Sequence, residues 1–288
     1  MLTLQRRRKL LPWLFLAPGL LWLIVFFAVP IGQQLVVSLM SGDPEQGFTF
    51  DWAFDNFSRV VSDYNEQFLR SIVYAAVATF LCFVIAFPLA YFIAFKAGRW
   101  KSFMLLLIIL PFFVSYVLRT VAWQLILSDD GTVVNVLRSI GVLSDDGRLL
   151  ASSTAVIAGI TYNFLPFMAL PLYVSLEKID RRLIEAATDL YASRATAFRK
   201  VTLPLALPGV FAGSLLTFIP AVGDFINAAL LGTPRQFMIG NVIQSKFLVT
   251  QDYPGAAALS FILMAFILIG IFLYAKLLGA RNLTEAAL

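Results

Sequence analysis

The sequence predicts an all-α, polytopic membrane protein with six transmembrane helices. Three observations carry this: a hydrophobic content of 60% against 14% charged residues, a mean hydropathy of +0.84, and six apolar runs separated by short polar connections. No water-soluble domain of ordinary usage is this apolar. The runs lie near 11–39, 71–95, 103–127, 153–176, 205–231 and 256–279, each at or above the roughly 20 residues needed to cross a bilayer. We read the 288 residues as a single transmembrane domain, with one long polar insert, 177–204, between the fourth and fifth runs.

The first run follows Arg6-Arg7-Arg8-Lys9. Such a cationic start also occurs in secretory and twin-arginine signals. This run, however, continues past Pro18 and Pro30 to Leu39, longer than the ~7–15 residues of a signal's apolar core, and lacks a clear small-residue cleavage site. Pro88, Pro111, Pro166 and Pro171 mark kinks in the runs that contain them. The 41–69 connection is acidic, with Asp43, Glu45, Asp51, Asp55, Asp63 and Glu66 against Arg59. It reads either as a solvated loop or as a surface that receives a cationic ligand or its carrier.

Lys and Arg are distributed unequally over alternate connections. Arg6 to Lys9, the 96–102 connection, the 177–204 insert, Lys276 and Arg281 fall on one side; Arg59, Arg70, Arg138, Arg148, Arg235 and Lys246 fall on the other. The positive-inside rule places the first set, and with it both termini, in the cytoplasm. Topology thus accounts for the net charge of +5, and nucleic-acid binding is not needed to explain it.

Several chemistries are excluded by what the chain lacks. The absence of histidine removes His-based triads, metal sites and proton relays, and the single cysteine, Cys82, permits no intrachain disulfide. No G-x-x-x-x-G-K-[ST] segment is present, so the chain does not hydrolyse ATP itself. The chain is read as having no catalytic or metal centre, and any energy for transport would come from a partner or a gradient. An intramembrane enzyme would need a nucleophile or metal constellation, and a gradient-driven secondary transporter commonly shows inverted repeats.

The insert, EKIDRRLIEAATDLYASRATAFRKVTLP, carries helical periodicity in both halves. Asp180 can cap a helix by accepting from free backbone N–H groups, and Leu183, Ala187 and Leu190 follow at helical offsets. The result is a short amphipathic helix with one apolar face, suited to docking a partner.

Two ionisable residues interrupt the apolar runs, and such residues are expensive in a membrane. Measured along ideal helices, Arg119 lies about 24 Å from a cytoplasmic start at Phe103 and Asp224 about 25 Å from Leu207. The two therefore either neutralise each other, with Arg119 alternatively reaching the outer interface, or Asp224 faces a central path and neutralises a substrate ammonium. Pro220 and Gly223 weaken the helix beside Asp224, and discontinuous helices mark many transport sites. Trp123, one turn after Arg119, and Tyr162 and Asn163 beside Pro166 are of the types that line an alkylammonium site. The same aromatics are equally ordinary interfacial anchors.

The pattern Glu185-Ala186-Ala187, Ala192, Phe198 and Leu203-Pro204 resembles the EAA loop of permease subunits of binding-protein-dependent ABC importers. Glu285-Ala286-Ala287 repeats the tripeptide without the rest. One departure stands out: Tyr191 occupies the family's usual glycine position, where a turn with positive φ is poorly tolerated by an aromatic side chain. Either this turn is built differently or Tyr191 adds a contact of its own. The segments LLPWLFLAPGLLWLIVFFAVP, PFFVSYVLRTVAWQLIL, YNFLPFMALPLYVSLEKID and PGVFAGSLLTFIPAVGDFINAALLG extend the likeness to nearly the whole chain, most closely to permeases of spermidine/putrescine importers.

The resemblance implies a type I ABC importer permease (MetI-like) fold in the cell membrane. It also implies a second homologous permease, an ATPase homodimer that binds ATP and Mg, and an extracytoplasmic substrate-binding protein, with no cofactor on this chain. Residues from Asp180 to Ser193 would form the coupling helix, Glu185 would contact a basic residue of the ATPase, and Arg181, Arg182 and Arg194 would tune that surface or meet lipid headgroups. Related permeases carry iron, sulfate, thiamine or opines. An anion importer would present fixed positive groups, and Arg119 is one.

Overall fold

The computed structural model describes residues 4–144 and 146–276. Arg281 and Glu285-Ala286-Ala287 lie outside them, as does the end of the sixth apolar run. In chain order the helices are α1 (Leu4–Leu23), α2 (Val29–Ser38), α3 (Asp55–Phe95), α4 (Lys101–Ile109), α5 (Tyr116–Leu127), α6 (Thr132–Ser139), α7 (Ser153–Glu177), α8 (Arg181–Asp189), α9 (Arg194–Ala197), α10 (Leu203–Val222), α11 (Ile226–Leu231), α12 (Ile239–Leu248) and α13 (Tyr253–Tyr274). Strands β1 (Met40–Asp43) and β2 (Gly47–Phe50) pair antiparallel. Among the described residues five helices are long and apolar enough to cross a membrane, and a sixth span exists if the bent pair Gly98–Phe113 and Tyr116–Ser139 is counted as one.

Two π-helical turns, Ile24–Ala28 and Phe198–Thr202, sit just before Pro30 and Pro204. Proline lacks an N–H and its ring crowds the carbonyl four residues back, so a widened turn lets the helix continue. The second of these turns changes the reading of the polar insert. Its latter half is helical, as its periodicity suggests, but belongs to the fifth span, which begins at Arg194 and not at 205.

The third apolar run also differs from a straight crossing. Pro111 lies in a 3₁₀ turn, Leu110–Phe113, after which Val114 is extended (φ −101°, ψ 136°), and α5 leaves at 95° to the preceding helix. A distance to Arg119 measured along one helix therefore does not apply. Pro88, Pro166 and Pro171 lie inside α3 and α7, and the break in α3 falls instead at Tyr64 (φ −124°, ψ 21°). The fifth run ends as a helix at Val222 and resumes at Ile226, so Asp224 sits in a break.

The described residues group into two compact units. One comprises 1–63 with 243–264, the other 64–242 with 265–288. In the first, the 41–63 part of the acidic connection is built rather than loose. It forms the β1–β2 hairpin and the opening turns of α3, with the Asn56 amide donating to the carbonyls of Ser38 (3.0 Å) and Met40 (2.9 Å). The Asp43 carboxylate is occupied by the backbone N–H groups of Glu45 and Gln46 at the hairpin turn.

The core of the second unit stacks Cys82, Ala86, Ala90 and Ala94 of α3 against Met168, Ala169, Leu172 and Leu176 of α7, with Ile179 and Ala206. Small residues at every fourth position of α3 let the backbones approach closely, the common way to pack helices in a bilayer. The α7–α10 crossing uses the same device through Gly209 and Gly213, four residues apart. A Cβ at Gly209 would lie 2.5 Å from Cβ of Ser175 and 2.8 Å from the Pro171 carbonyl oxygen. Gly209→Val is expected to lower the thermal unfolding temperature of the detergent-solubilised protein, at a cost of about 1–3 kcal/mol. Gly270→Ala, where no atom lies within 4 Å, leaves it unchanged; equal effects of the two would refute the close crossing.

Candidate functional site

The polar insert folds as its first half suggests. Asp180 caps α8, its carboxylate accepting from the Arg182 N–H at 2.9 Å. One face of α8 is anchored: Ile184 packs against the core, and Arg181 donates to the Ala94 carbonyl (3.3 Å) at the C-terminal end of α3 while facing the Phe95 ring. A cation is favoured at a helix C-terminus, so Arg181, although exposed, also fastens the helix to the membrane domain. Phe198 continues the anchor, edge-on to Phe87 and Tyr91.

The other face is open. Leu183, Glu185 and Ala186 are exposed, Ala187 and Ala192 are half-buried, and Leu190 is 82% exposed. Glu185 enters none of the ion pairs found among the described residues; it borders a cleft of about 430 Å³ that also contains Lys96, Thr188 and Arg194.

The end of α8 settles how the turn at Tyr191 is made. The Tyr191 N–H donates to the Thr188 carbonyl (3.0 Å) and the Ala192 N–H to the Ala187 carbonyl (3.1 Å), the paired bonds of a Schellman cap. Tyr191 has φ +60°, the left-handed conformation that a glycine would adopt freely, and its side chain is 100% exposed. The turn is therefore of the usual glycine geometry, built with a strained residue at a cost of about 1–2 kcal/mol. Its ring makes no contact within the chain that repays this. Tyr191→Gly is expected to raise the thermal unfolding temperature slightly, and a clear decrease would contradict the strain.

The second site lies where the helix breaks meet. Asp224, in the α10–α11 break, accepts from the Tyr116 hydroxyl at the start of α5 and, through its other oxygen, from the Asn227 backbone N–H (3.0 Å). The Asn227 amide donates to Asp224 and to the Tyr116 oxygen, both at 2.6 Å. Asn163 of α7 closes the cluster by donating to Thr120 (3.2 Å) and to the Asn227 side-chain oxygen (3.3 Å). Asp224 is 7% exposed and Asn163, Thr120 and Asn227 are buried deeper still. The same break is braced from α12, where the Asn241 amide donates to the Phe225 carbonyl at 2.8 Å.

Arg119 and Asp224 do not form an ion pair, and Arg119 does not reach the surface: it is 8% exposed. Its guanidinium lies over the rings of Phe112 (5.5 Å) and Tyr116 (5.6 Å), so Tyr116 stands at both charges, ring to the cation and hydroxyl to the anion. The Asp224 carboxylate is covered in this conformation instead of open to a path. Trp123 and Tyr162 are brought together, with ring centroids 5.4 Å apart. Tyr116, Thr120 and Asn227 were not singled out from sequence. Asn227 lies at i+3 from Asp224 and Thr120 next to Arg119, but neutral polar residues in an apolar run carry no distinguishing signal. Below this cluster an apolar cleft of about 850 Å³ between α7 and α10 is lined by Pro166, Pro171, Pro208 and Gly209 and ends at Asp180 and Leu183.

Several membrane spans, a break carrying a buried carboxylate, and a capped, half-exposed helix between two spans together define a transport permease subunit. The chain belongs to the family of binding-protein-dependent transport system inner membrane components, which matches residues 9–280. It is 35% identical over 254 residues to the spermidine/putrescine transport system permease protein PotB of Haemophilus influenzae, covering 88% of this chain and 89% of that one. It is 36% identical over 240 residues to PotB of Escherichia coli strain K12, covering 83% and 87%. A crystal structure of a bacterial alginate ABC transporter, in complex with a periplasmic protein carrying an alginate pentasaccharide, superimposes with a TM-score of 0.72 at 21% identity, over 96% of each chain. That likeness establishes the ABC importer permease fold.

Proposed function

We propose that this chain is one of two homologous permease subunits of an ABC importer for polyamines of the spermidine/putrescine type. Both termini and α8 lie on the cytoplasmic side. There an ATPase homodimer, with ATP and Mg, supplies the energy, and an extracytoplasmic binding protein delivers the substrate. The chain itself binds no cofactor and performs no covalent chemistry.

The observation that carries the substrate class is the 35–36% identity, over more than four fifths of this chain, to permeases named for spermidine and putrescine. The lysine and arginine distribution supports the orientation. The open face of α8, with Leu183, Glu185, Ala186 and Leu190 outward, supports docking to the ATPase. The strain kept at Tyr191 favours a contact made only in the assembled importer, where its ring would be buried. Closure of the ATPase dimer would then move α8 and the spans fastened to it through Arg181 and Ile184, opening the permease pair outward to receive substrate.

Asp224 is the group placed to neutralise a substrate ammonium. Taking one requires the Tyr116 hydroxyl to withdraw, with the Trp123–Tyr162 pair available to an alkylammonium through its ring faces. The alternative to be excluded is an importer of another small solute, because a fixed guanidinium, Arg119, lies beside the cluster. A permease of an sn-glycerol-3-phosphate transport system from Agrobacterium fabrum is 29% identical over 276 residues. Uptake of labelled spermidine by cells expressing the complete system tests the first reading. Uptake that requires ATP and is blocked by excess putrescine supports it, and uptake of an anion alone supports the alternative.

A further inference from the structure

Arg119 presents an unexplained cost. Its Nε and Nη1 atoms are buried and have no hydrogen-bond acceptor among the described residues; two aromatic faces are its only recorded partners. A guanidinium withdrawn from water is tolerated when its donors are met by acceptors, and ring faces do not replace them. Through Tyr116 the guanidinium is linked to Asp224, whose carboxyl is held by neutral donors: the Tyr116 hydroxyl, the Asn227 amide and the Asn227 backbone N–H. A guanidinium with two unmet buried donors and a carboxyl met by neutral donors thus lie at opposite ends of one tyrosine.

Tyr116 is also placed to move. It is the first residue of α5, directly after the extended Val114 and Ser115 of the 95° bend, and Asp224 sits in the second break. Both breaks lack the helical hydrogen bonds that would hold these side chains in one place.

We infer that Arg119 is an internal competitor for the substrate's ammonium at Asp224. In the conformation described here Tyr116 holds the two charges apart. During the transport cycle Arg119 closes on Asp224 as the substrate leaves, satisfying its donors and blocking return of the cation. This rests on the reading of Asp224 as the ammonium-binding group and adds a residue that sets release and specificity. An arginine serves well because it keeps its charge at all working pH values and can engage a carboxylate with two parallel bonds. The competition is a free-energy coupling between two cations for one anion, for which factors of about 5 to 150 are usual.

The test is spermidine uptake by the complete importer in proteoliposomes, comparing Arg119→Gln, Asp224→Asn, the double variant and Tyr116→Phe. Removing the competitor is expected to lower KM about fivefold or more and to lower the maximal rate, because release slows. In the Asp224→Asn background the same substitution has no further effect. Tyr116→Phe frees the carboxylate for Arg119 and raises KM. Thermal unfolding of Arg119→Gln, measured alongside, stays at or above wild type, since no acceptor is lost in the conformation described. If Asp224→Asn impairs uptake while Arg119→Gln leaves KM unchanged, raises it, or acts equally in both backgrounds, the competition is overturned and the ammonium site stands. If Asp224→Asn leaves uptake unaltered, the ammonium site itself falls.

Discussion

Glu185→Lys is expected to reduce ATP-driven uptake by at least about tenfold while leaving the abundance of the protein in the membrane unchanged. Glu185 projects from the open face of α8 and forms no ion pair among the described residues, so its reversal breaks no ion pair, and the like charge it adds near Lys96 and Arg194 is exposed and costs little. Asp180 still caps the helix, and Ile184 and Arg181 still anchor it. A lysine set against a basic residue of a docked ATPase costs several kcal/mol through like-charge contact, enough to break the coupling. Normal uptake by this variant, with normal abundance, removes Glu185 from the coupling surface.

Asp224→Asn is expected to raise the KM for a polyamine about tenfold or more. The substitution keeps the side chain's shape but exchanges a charge-assisted contact for a neutral one, a difference of about 1.5–3 kcal/mol. Removing the charge relieves a desolvation cost, but the amide NH2 replaces an oxygen that accepts from buried donors, so thermal stability is expected to fall modestly. An unchanged KM would take Asp224 off the substrate path.

Much of the architecture was legible because a bilayer imposes a crude and strong rule. Long apolar runs become helices, and the runs at 71–95, 153–176 and 205–231 are helical over most of their lengths. The bend at Val114 was not legible: hydropathy reports what a residue prefers as solvent and not its dihedral angles, and the 103–127 run is apolar straight through the break. The polar insert was half legible. Asp180 and the spacing of Leu183, Ala187 and Leu190 announce α8, whereas the start of the fifth span at Arg194 was placed at 205, because the stretch leading into Pro204 is polar and its π turn has no simple periodic signature.

Site legibility followed charge. Arg119 and Asp224 stood out because ionisable groups in apolar runs are rare, and the break beside Asp224 was foreseeable from Pro220 and Gly223. Their relation was not. It depends on Tyr116, which is one of nine tyrosines and becomes distinctive only when folding brings its hydroxyl to a carboxylate 108 positions away in sequence. Tyr191 shows the reverse case, where a departure from the expected glycine was visible at once but its meaning required the observed positive φ.

The most direct measurement is ATP hydrolysis by the complete importer in proteoliposomes, with the isolated extracytoplasmic binding protein added together with spermidine, putrescine, sulfate, ferric iron or sn-glycerol-3-phosphate in turn. A rise in hydrolysis with the polyamines alone is the predicted result. A rise only with an anion or a metal, or with none of these, would contradict the polyamine importer.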